Sequence, residues 1–587
     1  MTPRTKLLLA CGLVAACQRA GTGPPSTGSH GSLEGIVSLP DGEAGPVLIG
    51  ITDAVTGASS GVVQSDAEGR FDARLAAGDY ALTVTSARGF AFIEHARSPA
   101  TGLSIALSSD CAAVEGTVRA APEAGTVAEL SRRSKFVGDL FIAPVAANGR
   151  FRACLPEGDY QANAGGPLLS KSVRVRVPSA SAVEIPAYPR RQIESPPPRA
   201  SIARFALADL GAALRRGPRV LGFGEANHGT GDFYTQRGAL ALELARTGGL
   251  RYVMLEADAV ELLRIDDYVH GAAVDVSAVL VAMGFWITDI EEFTAFLDQV
   301  RAYNAGVPAA RTVHVLGFDA QMTEPAARLL VAGREELGLS PPEVQLLNRV
   351  APDGGKSFLE LDAAEKAALQ QLLRRLGDVP SINPRGSTGR AAIAARSLQH
   401  QLGYLAESNW VAQGQLRDAA MADLAAFVVE RGEPGRACLW AHAAHIAREP
   451  YGGVESMGRY LTQRFGADYY PIGFFSYSGT ARAWDPGGQI GVIPHELART
   501  PPYYIESAIM EATSYPDIAW VAIAAMPPAL RQWLELPRFS REFGSSYSGA
   551  EDARTLRAVP TAFDALVVLK RARASTPTPT GERRVAH

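Results

Sequence analysis

The sequence predicts a multidomain chain: two tandem all-β sandwich modules, then an α/β domain with a mostly parallel sheet and a substantial helical portion. Three observations predict it. A motif set recurs after 80 residues in the N-terminal third. A Pro-rich stretch then interrupts the chain. Beyond it, short apolar runs alternate with helical patterns. The 587 residues suit several domains, and a 47% hydrophobic, 20% charged composition supplies ordinary cores and excludes wholesale disorder. Lys and Arg total 57 against 61 Asp and Glu, a net charge of −4, which leaves no basic footprint for nucleic acid.

Residues 1–16 read as a leader: Arg4 and Lys6 precede the apolar run Leu7–Ala16. The end, Leu13-Val14-Ala15-Ala16-Cys17, resembles a bacterial lipobox. That resemblance implies cleavage before Cys17 and lipidation of its thiol. Cys11 offers a competing site with a shorter apolar region, and a plain signal peptide is the other reading. Gln18, not Asp, follows Cys17. The expected location is therefore the bacterial cell envelope, lipid-anchored, at the outer membrane. Residues 17–31, rich in Gly, Pro, Ser and Thr, read as a flexible tether. No apolar run reaches the roughly 18–20 residues of a membrane-spanning helix.

The sandwich modules are expected at 32–109 and 110–187. Asp66-Ala67-Glu68-Gly69-Arg70-Phe71 is echoed by Ala146-Ala147-Asn148-Gly149-Arg150-Phe151, and Gly78-Asp79-Tyr80 by Gly158-Asp159-Tyr160. These suit turns flanked by short strands. The modules resemble carboxypeptidase-regulatory-like units, which implies spacer or docking roles, with a possible envelope partner. Gly57-Ala58-Ser59-Ser60-Gly61 matches a nucleophile-elbow pattern, but no helix pattern follows, so it is a decoy. In an exported chain Cys111 and Cys154 are the plausible disulfide pair, and Cys438 lies in an apolar run as a buried small hydrophobe. Residues 188–200 read as a stiff linker, 201–573 as the α/β domain and 574–587 as a disordered tail.

In the α/β domain, strands are expected at 219–224, 252–256, 313–319, 437–441 and 470–475. Helices are expected at 232–248, 258–269, 291–303 and through much of 324–430. Continuous apolar strands between helices point to a parallel sheet covered on both faces. Polar residues then gather where strands end. Glu225 and His228 follow the first, Glu256 ends the second, Asp319 and Gln321 end the third, and His442 and His445 follow the fourth. Ligands of open α/β sheets bind outside the carboxyl ends of the strands. Any one such residue is ordinary. Three histidines from a total of ten, with two glutamates, are less so. Arg237, nine residues after His228, is placed to pair with Glu225 or Glu256. Gly222-Phe223-Gly224 begins a dinucleotide-type motif that Asn227 breaks. His314 reads as core or interface.

These residues resemble the erythromycin esterase family over about 201–572. The likeness rests on Gly224-Glu225-Ala226-Asn227-His228-Gly229-Thr230, Arg237, Leu255-Glu256-Ala257, Gly317-Phe318-Asp319-Ala320-Gln321 and Ala441-His442-Ala443-Ala444-His445-Ile446-Ala447. Arg301-Ala302-Tyr303-Asn304 and Phe563-Asp564-Ala565-Leu566 extend it. The resemblance implies a hydrolase of a small-molecule ester or macrolactone, working without an obligatory cofactor. It places catalytic roles on Glu225, His228, Arg237, Glu256, His442 and His445, and substrate contacts on Trp286, Asp319 and Gln321. Asn227 stands where the family usually has Thr. Thr288 and Asp289 stand where it often has a second Trp and an Arg, in a segment expected to line the cleft. These departures bear on macrolide specificity more than on hydrolysis.

The expected mechanism has His228 taking a proton from water. Glu256 holds the imidazole, Glu225 and Arg237 fix the water, and His442 and His445 serve the oxyanion or the leaving alkoxide. Two alternatives stay open: a divalent metal held by His228, Glu256, His442 and His445, and a non-catalytic lipoprotein that binds a small molecule or haem.

Overall fold

The computed structural model describes residues 30–43, 45–54, 59–133, 138–202, 214, 217–351, 356–407, 409–485, 491–513, 517–547, 549–550, 553–579 and 581. The leader, Cys17 and nearly all of the tether lie outside them, as do Gly57 and Ala58 of the elbow-like motif; Ser59 begins a strand. No helix among the described residues is long and apolar enough to cross a membrane. The chain forms two compact units, dividing between Ser195 and Pro196.

The first unit is the pair of repeats. Strands β1 (His30–Ser38), β2 (Leu48–Asp53), β3 (Ser59–Gln64), β4 (Arg70–Ala76), β5 (Gly78–Thr85), β6 (Phe90–Ser98) and β7 (Ala100–Ala106) form sheets ordered β4-β1-β7 and β3-β2-β5-β6. The second repeat has β8 (Ala112–Arg119), β9 (Val127–Arg133), β10 (Gly138–Pro144), β11 (Arg150–Leu155), β12 (Gly158–Gly165), β13 (Leu168–Ser170), β14 (Val173–Val177) and β15 (Val183–Pro189). Its sheets, β11-β8-β15-β13 and β10-β9-β12-β14, repeat that topology with β13 added at one edge.

The echoed motifs explain the repeat physically. Gly69 and Gly149 take φ 77° and 80°, a left-handed turn that glycine adopts without a Cβ clash. The Phe after each turn, Phe71 or Phe151, enters the core. Tyr80 and Tyr160 are buried and donate their hydroxyls to carbonyls four residues back, Ala76 at 3.0 Å and Pro156 at 2.9 Å. This satisfies a polar tip inside a sandwich. Cys111 and Cys154 are disulfide-bonded, with Cα atoms 5.5 Å apart.

The second unit holds a seven-stranded sheet. Its strands are β16 (Val220–Glu225), β17 (Leu250–Asp258), β18 (His314–Asp319), β19 (Arg436–His442) and β20 (Tyr469–Ser476). A hairpin, β21 (Gly479–Trp484) and β22 (Val492–Leu497), precedes β23 (Ile518–Ala522). A short antiparallel pair, β24 (Arg538–Arg541) and β25 (Arg554–Arg557), precedes β26 (Ala565–Leu569). The order is β18-β17-β19-β16-β20-β26-β23, parallel except for β23 at one edge. The five expected strands are present, and β23 and β26 add two more.

Helices cover the sheet: α1 (Gly231–Thr247), α2 (Leu262–Val269), α3 (Val276–Met283) and α4 (Glu291–Ala305). A helical block follows β18: α5 (Thr323–Ala332), α6 (Pro341–Val350), α7 (Ala363–Gly377), α8 (Ser387–Ala406) and α9 (Trp410–Arg431). Strands β16 and β18 are buried at every position, which is why they read as unbroken apolar runs. Two expectations fail: residues 188–200, expected as a stiff linker, begin inside β15 and continue into a short helix, Arg190–Ile193, and the tail departs as well. Residues 574–579, expected to be disordered, lie against the α/β domain, with Ala574 bridged to Thr230 and Pro577 to Ile290. Their backbone finds partners that a Pro- and Thr-rich composition does not advertise.

Candidate active site

The site forms at the carboxyl edge of β16, β17 and β19. In the parallel register Glu225 is level with His442. The chain after β19 turns at once into α10 (Ala443–Ile446). A Cβ on Gly222 would lie 2.7 Å from the Ile446 Cγ2, and one on Gly224 would lie 2.9 Å from the Ala443 Cα. So these glycines let α10 approach the strand closely; they do not cradle a phosphate. A Cβ on Gly229 would lie 1.7 Å from the Arg482 carbonyl oxygen, which holds the His228 turn tight against β21.

His228 Nδ1 lies 2.9 Å from Glu225 Oε1. The other oxygen of Glu225 accepts from Arg237 at 2.5 Å. Arg237 is buried, its guanidinium over the rings of Tyr234 and Trp440 at 4.5 and 5.0 Å. A carboxylate bound in this way accepts from Nδ1–H, so the lone pair of His228 is on Nε2. Glu225 thus orients the imidazole, the part expected of Glu256. Glu225, His228, Arg237, Glu256 and Thr288 line a cavity of about 10 Å³, room for one water among polar groups.

Glu256 belongs to a second cluster. It accepts from Arg417 at 2.8 Å and from the His442 backbone N–H at 2.9 Å. Burial pushes its carboxyl up, but His445, Arg417 and His228 outweigh it and hold the group well below the usual carboxylate range. Arg417 also binds Asp319 at 2.6 Å. His445 Nδ1 lies 2.8 Å from Asp418, which also accepts from the Met457 N–H at 2.7 Å. His445 Nε2 lies 3.4 Å from Glu256. Burial lowers the His445 pKa, but Asp418 and Glu256 more than offset it, so the net shift is upward, toward the cation.

His442 departs from its expected role. Its Nε2 lies 3.2 Å from both the Ala226 and Phe543 carbonyls, so it carries hydrogen. Its Nδ1 accepts from the Ala444 N–H at 3.2 Å, capping α10. Both nitrogens serve the backbone, leaving no proton for an oxyanion. Burial, then His228, pushes its pKa down to about 4. The conditional metal set of His228, Glu256, His442 and His445 therefore lacks a His442 lone pair. The metal-type cluster found among the described residues is elsewhere: Asp266, His270 and His314, at the opposite end of β18. It closes on itself, with Asp266 accepting from His314 Nδ1 at 2.9 Å and from the Val315 N–H at 3.0 Å.

Of the expected substrate contacts, Asp319 is fully buried and acts as the partner of Arg417. Gln321 donates to Asp319, and its carbonyl accepts from Gln401 at 3.1 Å. Trp286 is half-buried, under the Arg482 guanidinium at 5.6 Å, while its neighbours Ile287 and Thr288 line the cavity. Sequence reasoning missed Arg417 and Asp418. Both lie inside α9, where neither strand end nor turn marks them; their one signal is a charged pair in a helix otherwise rich in buried Ala, Leu, Val and Met.

Two solved structures share the fold of the second unit, and a third is similar at a lower score. A Bacillus cereus protein matches with a TM-score of 0.55 at 19% identity, over 66% of this chain and 97% of its own. A succinoglycan biosynthesis protein gives 0.55 at 15%, with the same coverages. A variant of the erythromycin esterase EreC in its open conformation gives 0.47 at 18%, over 65% of this chain and 99% of its own. The erythromycin esterase family profile matches residues 246–572, more than half the chain. This chain belongs to the erythromycin esterase family, as a hydrolase of that family.

Proposed function

We propose that the protein is a carboxylic ester hydrolase that opens an ester or lactone of a small molecule with His228-activated water. The observation that carries this reading is the Glu225–His228 pair, which together with Glu256 lines a cavity of one-water size. Water gives a proton to His228 Nε2 while its oxygen attacks the ester carbonyl carbon. The tetrahedral intermediate collapses with cleavage of the acyl C–O bond, and the imidazolium returns the proton to the leaving alkoxide. Glu256 accepts from the attacking water, and the Arg417 cation bound to it, with His445 beside it, offsets the developing negative charge. Glu225 needs no proton of its own in this cycle. Thr288, small where the family often has a larger side chain, supports a substrate pocket different from that of the macrolide enzymes.

The chain would act in the envelope, tethered to the membrane by lipid on Cys17, with the sandwich modules as spacer or docking units. The test is to incubate residues 18–587 with erythromycin and a panel of lactones and esters, reading the gain of one water by mass spectrometry. Hydrolysis that disappears in His228→Ala and persists after chelation is the expected result. A chelator-sensitive activity overturns the water-on-histidine mechanism, and recovery of every ligand unchanged overturns the esterase reading.

A further inference from the structure

The segment after β26 crosses two loops of the site. Ser575 N–H donates to the Gly229 carbonyl at 2.9 Å, and the Gly231 N–H donates to the Arg573 carbonyl at 3.0 Å. These bonds grip the turn that carries His228. A few residues on, the Glu291 N–H donates to the Thr576 carbonyl at 2.8 Å, and the Thr578 N–H to the Asp289 carbonyl at 3.2 Å. These grip the 286–289 segment, whose Ile287 and Thr288 line the cavity. Side chains repeat the pattern. Arg573 pairs with Asp232 at 2.7 Å, Thr576 donates its hydroxyl to Glu292 at 3.0 Å, and the Thr578 hydroxyl donates to Asp289 at 2.5 Å. The Arg573 side chain is 82% exposed, so its ion pair adds little, and the backbone bonds and the Thr576 and Thr578 hydroxyl bonds carry the hold. The three pieces meet at Gly231, where a Cβ would lie 2.4 Å from Glu292 Oε1 and 3.0 Å from the Ser575 Cα.

We propose that residues 573–579 are a positioning strap, which fixes the His228 turn and the Ile287–Thr288 wall relative to each other and thereby sets how tightly and how productively substrate is held. The strap touches no reacting atom; it acts through the loops it joins. It is made of backbone bonds on strand-free segments, where local opening is otherwise easy. Misplacement of a catalytic group by about 1 Å can cost on the order of a hundredfold in rate. The kinetic part rests on the hydrolytic reading of the site; the structural part does not.

The test compares the full chain with one ending at Ala572. Amide hydrogen exchange is read at 228–232 and 286–291, and kcat and KM are read on whichever ester the full chain hydrolyses. The expected result is exchange faster by about tenfold or more at those two segments alone, with KM raised by about tenfold and kcat lowered. A Thr576→Val, Thr578→Val double variant keeps the backbone bonds and serves if the shorter chain does not fold. It raises KM by about threefold with kcat little changed. Unchanged exchange and unchanged KM in the variants overturn the strap. If the full chain hydrolyses no panel member, the esterase reading fails by itself, and exchange still decides the strap.

Discussion

Strands β16 and β19 lie side by side, with Glu225 level with His442, and both bring an imidazole to the same edge of the sheet: His442 ends β19 itself, and His228 lies in the turn just after β16. The His228 and His442 rings are 5.3 Å apart. Yet one is tied at a single nitrogen to a carboxylate, and the other is tied at both nitrogens to the backbone. The difference lies in which groups need satisfying. After β16 the chain brings a buried Glu225–Arg237 pair, which accepts one N–H and leaves a lone pair for chemistry. After β19 the chain enters a one-turn helix with an unpaired N–H at its start, and two carbonyls face the ring from across the site. A histidine there is absorbed by the fold. Sequence position places both at the site; only the surrounding donors and acceptors assign their work.

The largest expected effect comes from breaking the first turn. His228→Ala removes the proposed base, so kcat for the hydrolysed ester is expected to fall by about 10²–10⁴-fold with the melting temperature little changed. The readout is product formation beside a thermal melt. If His442→Ala produced the larger kinetic loss with unchanged stability, the contrast between the two turns would be wrong.

Next in size is Arg417→Ala. It leaves Glu256 and Asp319, both deeply placed carboxylates, without their shared cation. Breaking a buried pair from one side costs about 3–5 kcal/mol, to be measured by chemical denaturation. An exposed arginine on the same helix would cost far less, so Arg431→Ala is the control. Arg417 also shows where sequence reading stops. The five long strands were legible because a strand buried on both faces must be apolar throughout. Strands β23 and β26, five residues each, were too short to separate from loop or helix. Glu225, His228, Glu256 and His445 were legible because polar groups at strand ends stand out. Arg417 and Asp418 sit mid-helix, where a charged residue usually faces solvent, and only the packing of α9 over the sheet edge turns them inward. The strap was read as disorder because its hold is through backbone groups, which every residue carries.

The third effect is the part of the pH dependence that His442 contributes. Its folded pKa, about 4, lies below its unfolded value near 6.5. The unfolded chain therefore binds the proton first as pH falls. Stability from this group is fully present above about 6.5 and is lost progressively down to about 4, amounting to on the order of 3 kcal/mol. His445 has the opposite sign, because its folded pKa is raised: its contribution is present below about 6.5 and fades as pH rises through the folded value. Denaturation midpoints of the protein and of His442→Gln between pH 4 and 7 check this. A His442→Gln protein with the same acid sensitivity as the parent would remove His442 as its source.

The smallest expected effect separates the His228 turn from its neighbours. Asn227 is buried between Glu225 and His228, and its Oδ1 accepts from the Gly229 N–H at 3.2 Å and from the Thr230 hydroxyl at 2.8 Å. Its Nδ2 has no partner among the described residues. A buried donor left unmade costs about 1–3 kcal/mol. Thr at this position keeps one acceptor for the turn and deletes the orphan donor. Asn227→Thr is therefore expected to stabilise the protein by about 1 kcal/mol and to leave kcat/KM within about twofold. Should kcat/KM instead fall tenfold or more, the orphan amide is unpaired because it waits for substrate, and the turn after β16 would contribute a binding donor as well as the base.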